Sequence, residues 1–345
     1  MPSSATMRLR VVVPVFNDWE SFDILLRNLD RVAKGLPYLL HVTAIDDGST
    51  KSADAIFAQG SEIQFLNRVE IVRLSTNMGH QRAIAIGLCL AVEDNDSEAV
   101  LVMDSDGEDP PEAIEVLLRA AAGKKDFLVV AARGKRTENL TFKASYVIYK
   151  TIFKVVTGKK IGFGNFSLFS YGYVKRLVML PDLWNNLAAA VLRSKLPINE
   201  IFVDRGKRYA GKSQMNSVSL IVHGFSAIAV YADTIFVRLL MATVALVGLT
   251  VVAIATTVLM RLFIPAHATP GWATTVSFGM TIVLLQVLFT TLTSMLSLLN
   301  SRVQRLILPI ADFKPYVEFR ELVYPPAFTS RSELSPGDFF VAKRE

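Results

Sequence analysis

Ala99-Val-Leu-Val-Met-Asp-Ser-Asp-Gly-Glu-Asp-Pro-Pro111 is the stretch on which the fold turns. Five apolar residues in a row read as a strand buried on both faces, the habit of parallel sheets. Acidic residues follow at once, and Pro110-Pro111 then sets up the first turn of a helix running to Ala122. The same order of strand, polar loop and helix recurs on the N-terminal side. Leu9–Val15 is a strand followed by a helix over Asp18–Val32, and Leu39–Ile45 is a second strand. Ile71–Leu74 is a third, with a helix over Gln81–Val92 behind it, and Phe127–Ala132 is a further strand after the quoted stretch. Alternating strands and helices imply right-handed crossovers and a largely parallel sheet.

In such a sheet, ligands gather at the carboxyl ends of the strands. Those ends read Pro14-Val-Phe-Asn-Asp18, Asp46-Asp-Gly-Ser-Thr50, Ser75-Thr-Asn-Met-Gly79 and Asp104-Ser-Asp-Gly-Glu-Asp109. One loop of this kind is ordinary turn chemistry. Four of them on one edge make a candidate site. Asp104 and Asp106 could approach a hard divalent cation, which takes oxygen ligands and bridges phosphates.

The composition divides the chain. Apolar residues make up 51% and charged residues 20%, and mean hydropathy is +0.37, so a polar part and a greasy part are expected. Leu239–Met260 carries no charge, and Leu262–Ser301 none apart from the titratable His267. Each is long enough to cross a bilayer. Pro265, Pro270 and Gly271 break the helix between them, so a hairpin is expected. Arg238, Arg302 and Arg305 flank its open end against a lone Arg261 at the turn, which predicts both chain ends in the cytoplasm. Met1–Arg10 lacks the apolar core of a signal peptide and agrees with that orientation. Leu140–Lys160 reads as a basic amphipathic helix at the membrane surface, and Val218–Phe236 as a second interfacial segment. After Pro309 the tail reads as loosely structured.

Lys and Arg outnumber Asp and Glu 37 to 31, an excess suited to a membrane surface or to phosphate-bearing ligands. Without basic and aromatic platforms or zinc-finger spacing, nucleic acid is not an expected partner. Cys89 is the single cysteine and reads as a buried thiol. His80 and His223 read as hydrogen-bonded structural residues, and Gly162-Phe-Gly164 as a flexible loop. Two spans without interior charge poorly serve a transporter or channel.

The ordered set resembles the family-2 glycosyltransferases, in the polyprenyl-phosphate branch of dolichyl-phosphate mannose synthase and bactoprenyl-phosphate glucosyltransferase. It comprises Pro14-Val-Phe-Asn-Asp18, Asp46-Asp-Gly-Ser49, Asn77-x-Gly79 with Ala83 and Gly87, Met103-Asp-Ser-Asp106 with Pro110-Pro-Glu112, Arg133, and Arg208-Tyr-Ala-Gly-Lys-Ser213. The resemblance implies a Rossmann-like α/β domain of the GT-A type, a nucleotide-sugar donor, inversion at the anomeric carbon, and Mg²⁺ or Mn²⁺. It implies that Pro14, Phe16 and Asp18 border the base and ribose, with Asp46 binding one or the other. Asp104 would face ribose and sugar, Asp106 would hold the metal, and Glu108 could also reach it. Arg133, Arg208 and Lys212 would hold diphosphate or acceptor phosphate, while Asp47, Asn77, Gly79 and Ser213 complete the substrate set.

The chain departs from that branch at Gly164-Asn165-Phe166-Ser167, where Asp-Phe-Arg is usual, and at Asp18, where glutamate is usual. The acceptor therefore stays open between a polyprenyl phosphate, the favoured reading, and a cell-surface glycan or glycolipid. The general base, the donor base and sugar, and homo-oligomerisation also stay open. A membrane scaffold without catalysis would lack metal carboxylates, whereas Asp104 and Asp106 are present. The expected organisation is a catalytic domain over 1–215, a juxtamembrane segment over 216–236, spans over 237–262 and 272–301, and a cytoplasmic tail over 302–345.

Overall fold

The structure, a computed structural model, describes residues 7–53, 63–133, 151–159, 162–210, 224–263, 271–303 and 306–325. β1 (Met7–Val15) is the hub of an eight-stranded sheet. It pairs in parallel with β2 (Tyr38–Asp46) on one side and β4 (Ala99–Val102) on the other, and β2 continues in parallel to β3 (Arg68–Leu74). Interior strands of this kind are covered on both faces, and β1 is accordingly buried from Leu9 to Val15. Helices α1 (Trp19–Ala33) and α3 (Ala113–Ala121) line one core, and α2 (His80–Asp94) lies in the other. Gly87 lets α2 sit directly on β1: a Cβ there would lie 2.3 Å from Cγ1 of Val12.

The first five strands and three helices match the alternation in the sequence; the rest of the sheet does not. β6 (Phe163–Ser170) is antiparallel and wedges between β4 and β5 (Leu128–Arg133), so Gly162-Phe-Gly164 leads into a strand rather than forming a loop. Helices α4 (Tyr171–Leu177) and α5 (Leu187–Ser194) follow, and β7 (Asn199–Val203) pairs in parallel with β5. Asn186 caps α5 by accepting from the N–H of Ala189 at 2.9 Å.

Two helices of 32 residues come next, α6 (Ala232–Phe263) and α7 (Trp272–Val303). Each contains a 29-residue stretch long and apolar enough to cross a membrane, and its most apolar part is almost wholly unburied. The hydroxyls of Thr243 and Thr291 meet between them at 2.9 Å. α6 begins five residues ahead of the expected span, at Ala232, and so absorbs the end of the interfacial segment. Of Leu140–Lys160, residues 151–159 lie within the described part, helical over 151–157. Phe153 there is fully buried edge-on to Tyr231, while Ile152 and Val155 face outward. Arg238 Nη1 donates to Val155 O at 2.5 Å and ties this segment to the start of α6.

The expectation of a loosely structured end after Pro309 fails over 309–325. Phe313 is buried in the second core, and β8 (Val317–Tyr324) adds antiparallel to β3 at the edge of the sheet. Arg320 secures it. Its Nε donates to Glu70 at 2.5 Å, and Nη1 and Nη2 grip both oxygens of Asp94 at 2.9 and 2.6 Å. Charge pairing across strands replaced the apolar pattern that would have revealed the strand. The sheet is therefore mixed, and it is completed from beyond the helical pair.

Candidate active site

At the carboxyl edge of the sheet, three separate stretches are clamped together. The turn after β4 is shaped from within: Asp104 N–H donates to Asp109 at 2.9 Å and Glu108 N–H to Asp106 at 3.0 Å. Gly107 adopts φ +87 there, and the ring of Tyr209 lies 2.7 Å from where its Cβ would be. The segment after β7 docks on this turn through its backbone, Gly206 N–H to Glu108 O and Tyr209 N–H to Asp106 O, each at 2.9 Å. A Cβ on Gly206 would stand 2.1 Å from Gly107 O, so glycine is what permits the approach.

That docking delivers two arginines. Arg208 Nη1 bonds Asp106 at 2.9 Å and Nη2 bonds Asp18 at 3.1 Å, joining residues 190 positions apart. Arg205 pairs with Glu108. Even so, burial raises the Asp106 carboxyl to about 6, helped by Asp104 and outweighing Arg208 and Arg205. Burial likewise lifts Asp47 to about 6, although Met78 N–H at 2.6 Å and Gly79 N–H at 2.9 Å donate to its two oxygens.

Asp18, Asp104, Asp106, Glu108 and Arg208 thus converge. Asp46 lies nearby and accepts from Ser49 N–H at 2.8 Å, while Asp47 clamps the turn that carries Asn77 and Gly79. Pro14 is buried within β1 opposite Ile45, Phe16 is 38% exposed, and Asn77 faces solvent. Arg133 ends β5 in register with Val203. Lys212, Ser213 and His223 lie outside the described residues.

Three residues of the edge were not among the expected site residues. Arg205 is one. The others are His80 and Gln81, at the start of α2. His80 Nε2 lies 3.2 Å from Asp104 Oδ1 and 2.9 Å from Asn165 Nδ2. Burial opposes a charged imidazole, but Asp104, Asp47 and Asp106 outweigh it and raise the His80 pKa. His80 therefore belongs to the edge rather than to the packing behind it; its one hint was its position directly after Gly79.

Among the described residues, no group of three His, Cys, Asp or Glu side chains is arranged to hold a metal unaided. The donor set nevertheless fits a hard cation of the kind bound by one or two carboxylates together with substrate phosphates.

Residues 10–175 match the family model described as Glycosyl transferase family 2. That match spans β1 to α4 of the mixed α/β sheet and includes Asp18, Asp104, Asp106 and Glu108. The chain is 25% identical over 225 residues to the undecaprenyl-phosphate 4-deoxy-4-formamido-L-arabinose transferase of Photorhabdus laumondii, covering 62% of this chain and 65% of that protein. The transferase of the same name from Salmonella choleraesuis is 26% identical over 223 residues, covering 62% and 64%. The chain thus spans just under two thirds of the length of these relatives. Glucosyl-3-phosphoglycerate synthase from Mycobacterium tuberculosis superposes at a TM-score of 0.48 and 14% identity, over 67% of this chain and 80% of that one.

Proposed function

We propose that this chain is an inverting glycosyltransferase that moves a sugar from a nucleotide-sugar to a polyprenyl phosphate at the cytoplasmic face of the inner membrane. The convergence of Asp18, Asp104 and Asp106 with Arg208 at the carboxyl edge of the sheet carries the reading. The family match over residues 10–175 and relatives named as undecaprenyl-phosphate sugar transferases support it.

The acceptor phosphate oxygen attacks the anomeric carbon from the face opposite the leaving group. The bond to the diphosphate breaks and the nucleoside diphosphate departs. Such a nucleophile is already anionic and needs no strong base, consistent with Asn165 at the position where the branch has an acid. Charge builds on the departing diphosphate, so preorganised cations favour the transition state. Arg208 and Arg205, which pair with Asp106 and Glu108, would supply it once released. Asp106 and Glu108 would hold Mg²⁺ or Mn²⁺, which contributes further positive charge at the diphosphate. Pro14, Phe16, Asp18 and Asp46 would border the nucleoside, Arg133 and Lys212 would hold the diphosphate or the acceptor phosphate, and Ser213 belongs to the substrate set.

The strand β8 supports the orientation. It lies in the catalytic sheet after both apolar helices, which favours a hairpin in which α7 recrosses what α6 crosses. Arg238, Arg302 and Arg305 then favour the cytoplasm for the catalytic side.

Membranes containing the chain, incubated with labelled UDP- and GDP-sugars, should accumulate label in a lipid that mild acid cleaves. Label confined to acid-stable glycan or glycolipid would overturn the lipid-phosphate acceptor.

A further inference from the structure

Asn17 stitches the loop after β1 to the loop after β2. Its backbone is left-handed, with φ +53, a region that asparagine enters more readily than other residues bearing a side chain. From that position Oδ1 accepts three bonds, from Thr50 N–H at 2.9 Å, Lys51 N–H at 3.1 Å and Thr50 Oγ1 at 3.2 Å. The N–H of Asn17 itself donates to Ser49 Oγ at 2.9 Å, and Ser49 N–H donates to Asp46 at 2.8 Å. Backbone N–H groups can only donate, so the oxygen of the Asn17 amide is the end that faces residues 50 and 51.

The rest of the edge is held by other bonds. Asp18 accepts from Ser21 Oγ at 2.7 Å and from Arg208 at 3.1 Å, and the turn after β4 is closed by Asp109 and by the segment after β7. None of these passes through the Asn17 side chain. Asp47 N–H to Val15 O at 2.9 Å and Trp19 Nε1 to Lys51 O at 3.0 Å would still keep the first two loops adjacent if the amide were lost. Its removal therefore frees residues 49–51 without opening the sheet.

We propose that Asn17 is the positioning residue for the nucleoside half of the donor site. It fixes the loop after β2 against the loop after β1, so that Phe16 and Asp46 stand ready on either side of the stitch. The inference rests on the nucleotide-sugar reading above and adds how one half of that ligand finds its site already ordered. Without the stitch, nucleoside binding must itself order the loop, and affinity falls by that cost. The diphosphate, served by residues on the other side of the edge, is spared.

The test is calorimetric titration of the full chain in detergent, with Mn²⁺, using UDP, GDP and inorganic pyrophosphate. Asn17→Gly keeps the left-handed backbone and removes the acceptor, whereas Asn17→Asp keeps both. For whichever nucleotide the wild type binds better, Asn17→Gly should weaken affinity roughly tenfold while pyrophosphate binds within about twofold of wild type. Asn17→Asp should hold the nucleotide within about threefold of wild type. Wild-type nucleotide affinity in Asn17→Gly, equal weakening in Asn17→Asp, or pyrophosphate affinity falling in step with the nucleotide would overturn the assignment. Failure of the wild type to bind either nucleotide would instead defeat the donor reading, and this inference with it.

Discussion

The two ends of the sheet use the same residue types to opposite effect. Near the starting ends of the strands, Arg10 is fully buried and bonds Asp94 at 2.7 Å, Glu70 at 3.3 Å and Thr43 at 2.9 Å. His41 reaches Asp96 at 3.1 Å and Glu70 at 3.4 Å, and Arg320 closes the cluster from β8. At Glu70, burial works to raise the carboxyl, but hydrogen bonds from His41 and Arg320 and the charge of Arg10 outweigh it and hold it near 2. The His41 bond likewise lowers Asp96 to about 2. At the carboxyl edge, Asp18, Asp104, Asp106 and Glu108 share two arginines, and Asp106 rises to about 6 instead. A satisfied cluster stabilises the fold, whereas an under-compensated one holds negative charge in reserve for a cationic ligand.

Asp106→Asn should break the comparison most visibly. Transfer should fall roughly 10²–10³-fold or more. The folded chain should lose no stability, because a carboxyl raised to about 6 is strained as an anion at neutral pH. Reduced transfer accompanied by a lower unfolding midpoint would place Asp106 among the structural residues instead. At the other end, Glu70→Ala strands Arg10 and His41 in the interior. Denaturant unfolding should show a loss of about 3–5 kcal/mol, and a loss below about 1 kcal/mol would deny that the cluster is tightly coupled.

Acid should sharpen the contrast. Glu70 has a folded value of about 2 against an ordinary 4.5, so its contribution is complete above the ordinary value and is lost as pH falls through the folded one. By linkage this amounts to about 3 kcal/mol, disappearing between about pH 5 and pH 2. In Glu70→Gln, that acid limb of the stability profile should shrink; an unchanged profile would contradict the assignment. The smallest effect belongs to neither end. Gly87→Ala drives a methyl group into Val12 and should destabilise by about 1–3 kcal/mol, with the pH profile unchanged.

The sequence showed the half of the fold built from local pattern. β1 through β5 are apolar runs between turn residues, and each was legible to within three residues at either end. β6 was hidden because Phe163-Gly-Asn-Phe-Ser carries small and polar residues where its neighbours carry branched ones. β8 was hidden because Val-Glu-Phe-Arg-Glu has no buried alternation, and the partner that explains Arg320 lies 250 residues away. The site divides in the same way. Asp104 and Asp106 announce themselves by following a strand, and Asp18 and Arg208 through the resemblance. His80 takes its meaning from Asn165, and Arg205 from Glu108, pairings made only in three dimensions.

The most direct test of the under-compensated edge is thermal unfolding of the detergent-purified chain with Mn²⁺ and UDP- or GDP-sugars. One nucleotide-sugar should raise Tm with Mn²⁺ present, by an amount corresponding to about 2.7 kcal/mol at a hundred times its Kd. Asp106→Asn should abolish that rise. An equal rise in the variant, or one independent of Mn²⁺, would contradict a cation held at Asp106.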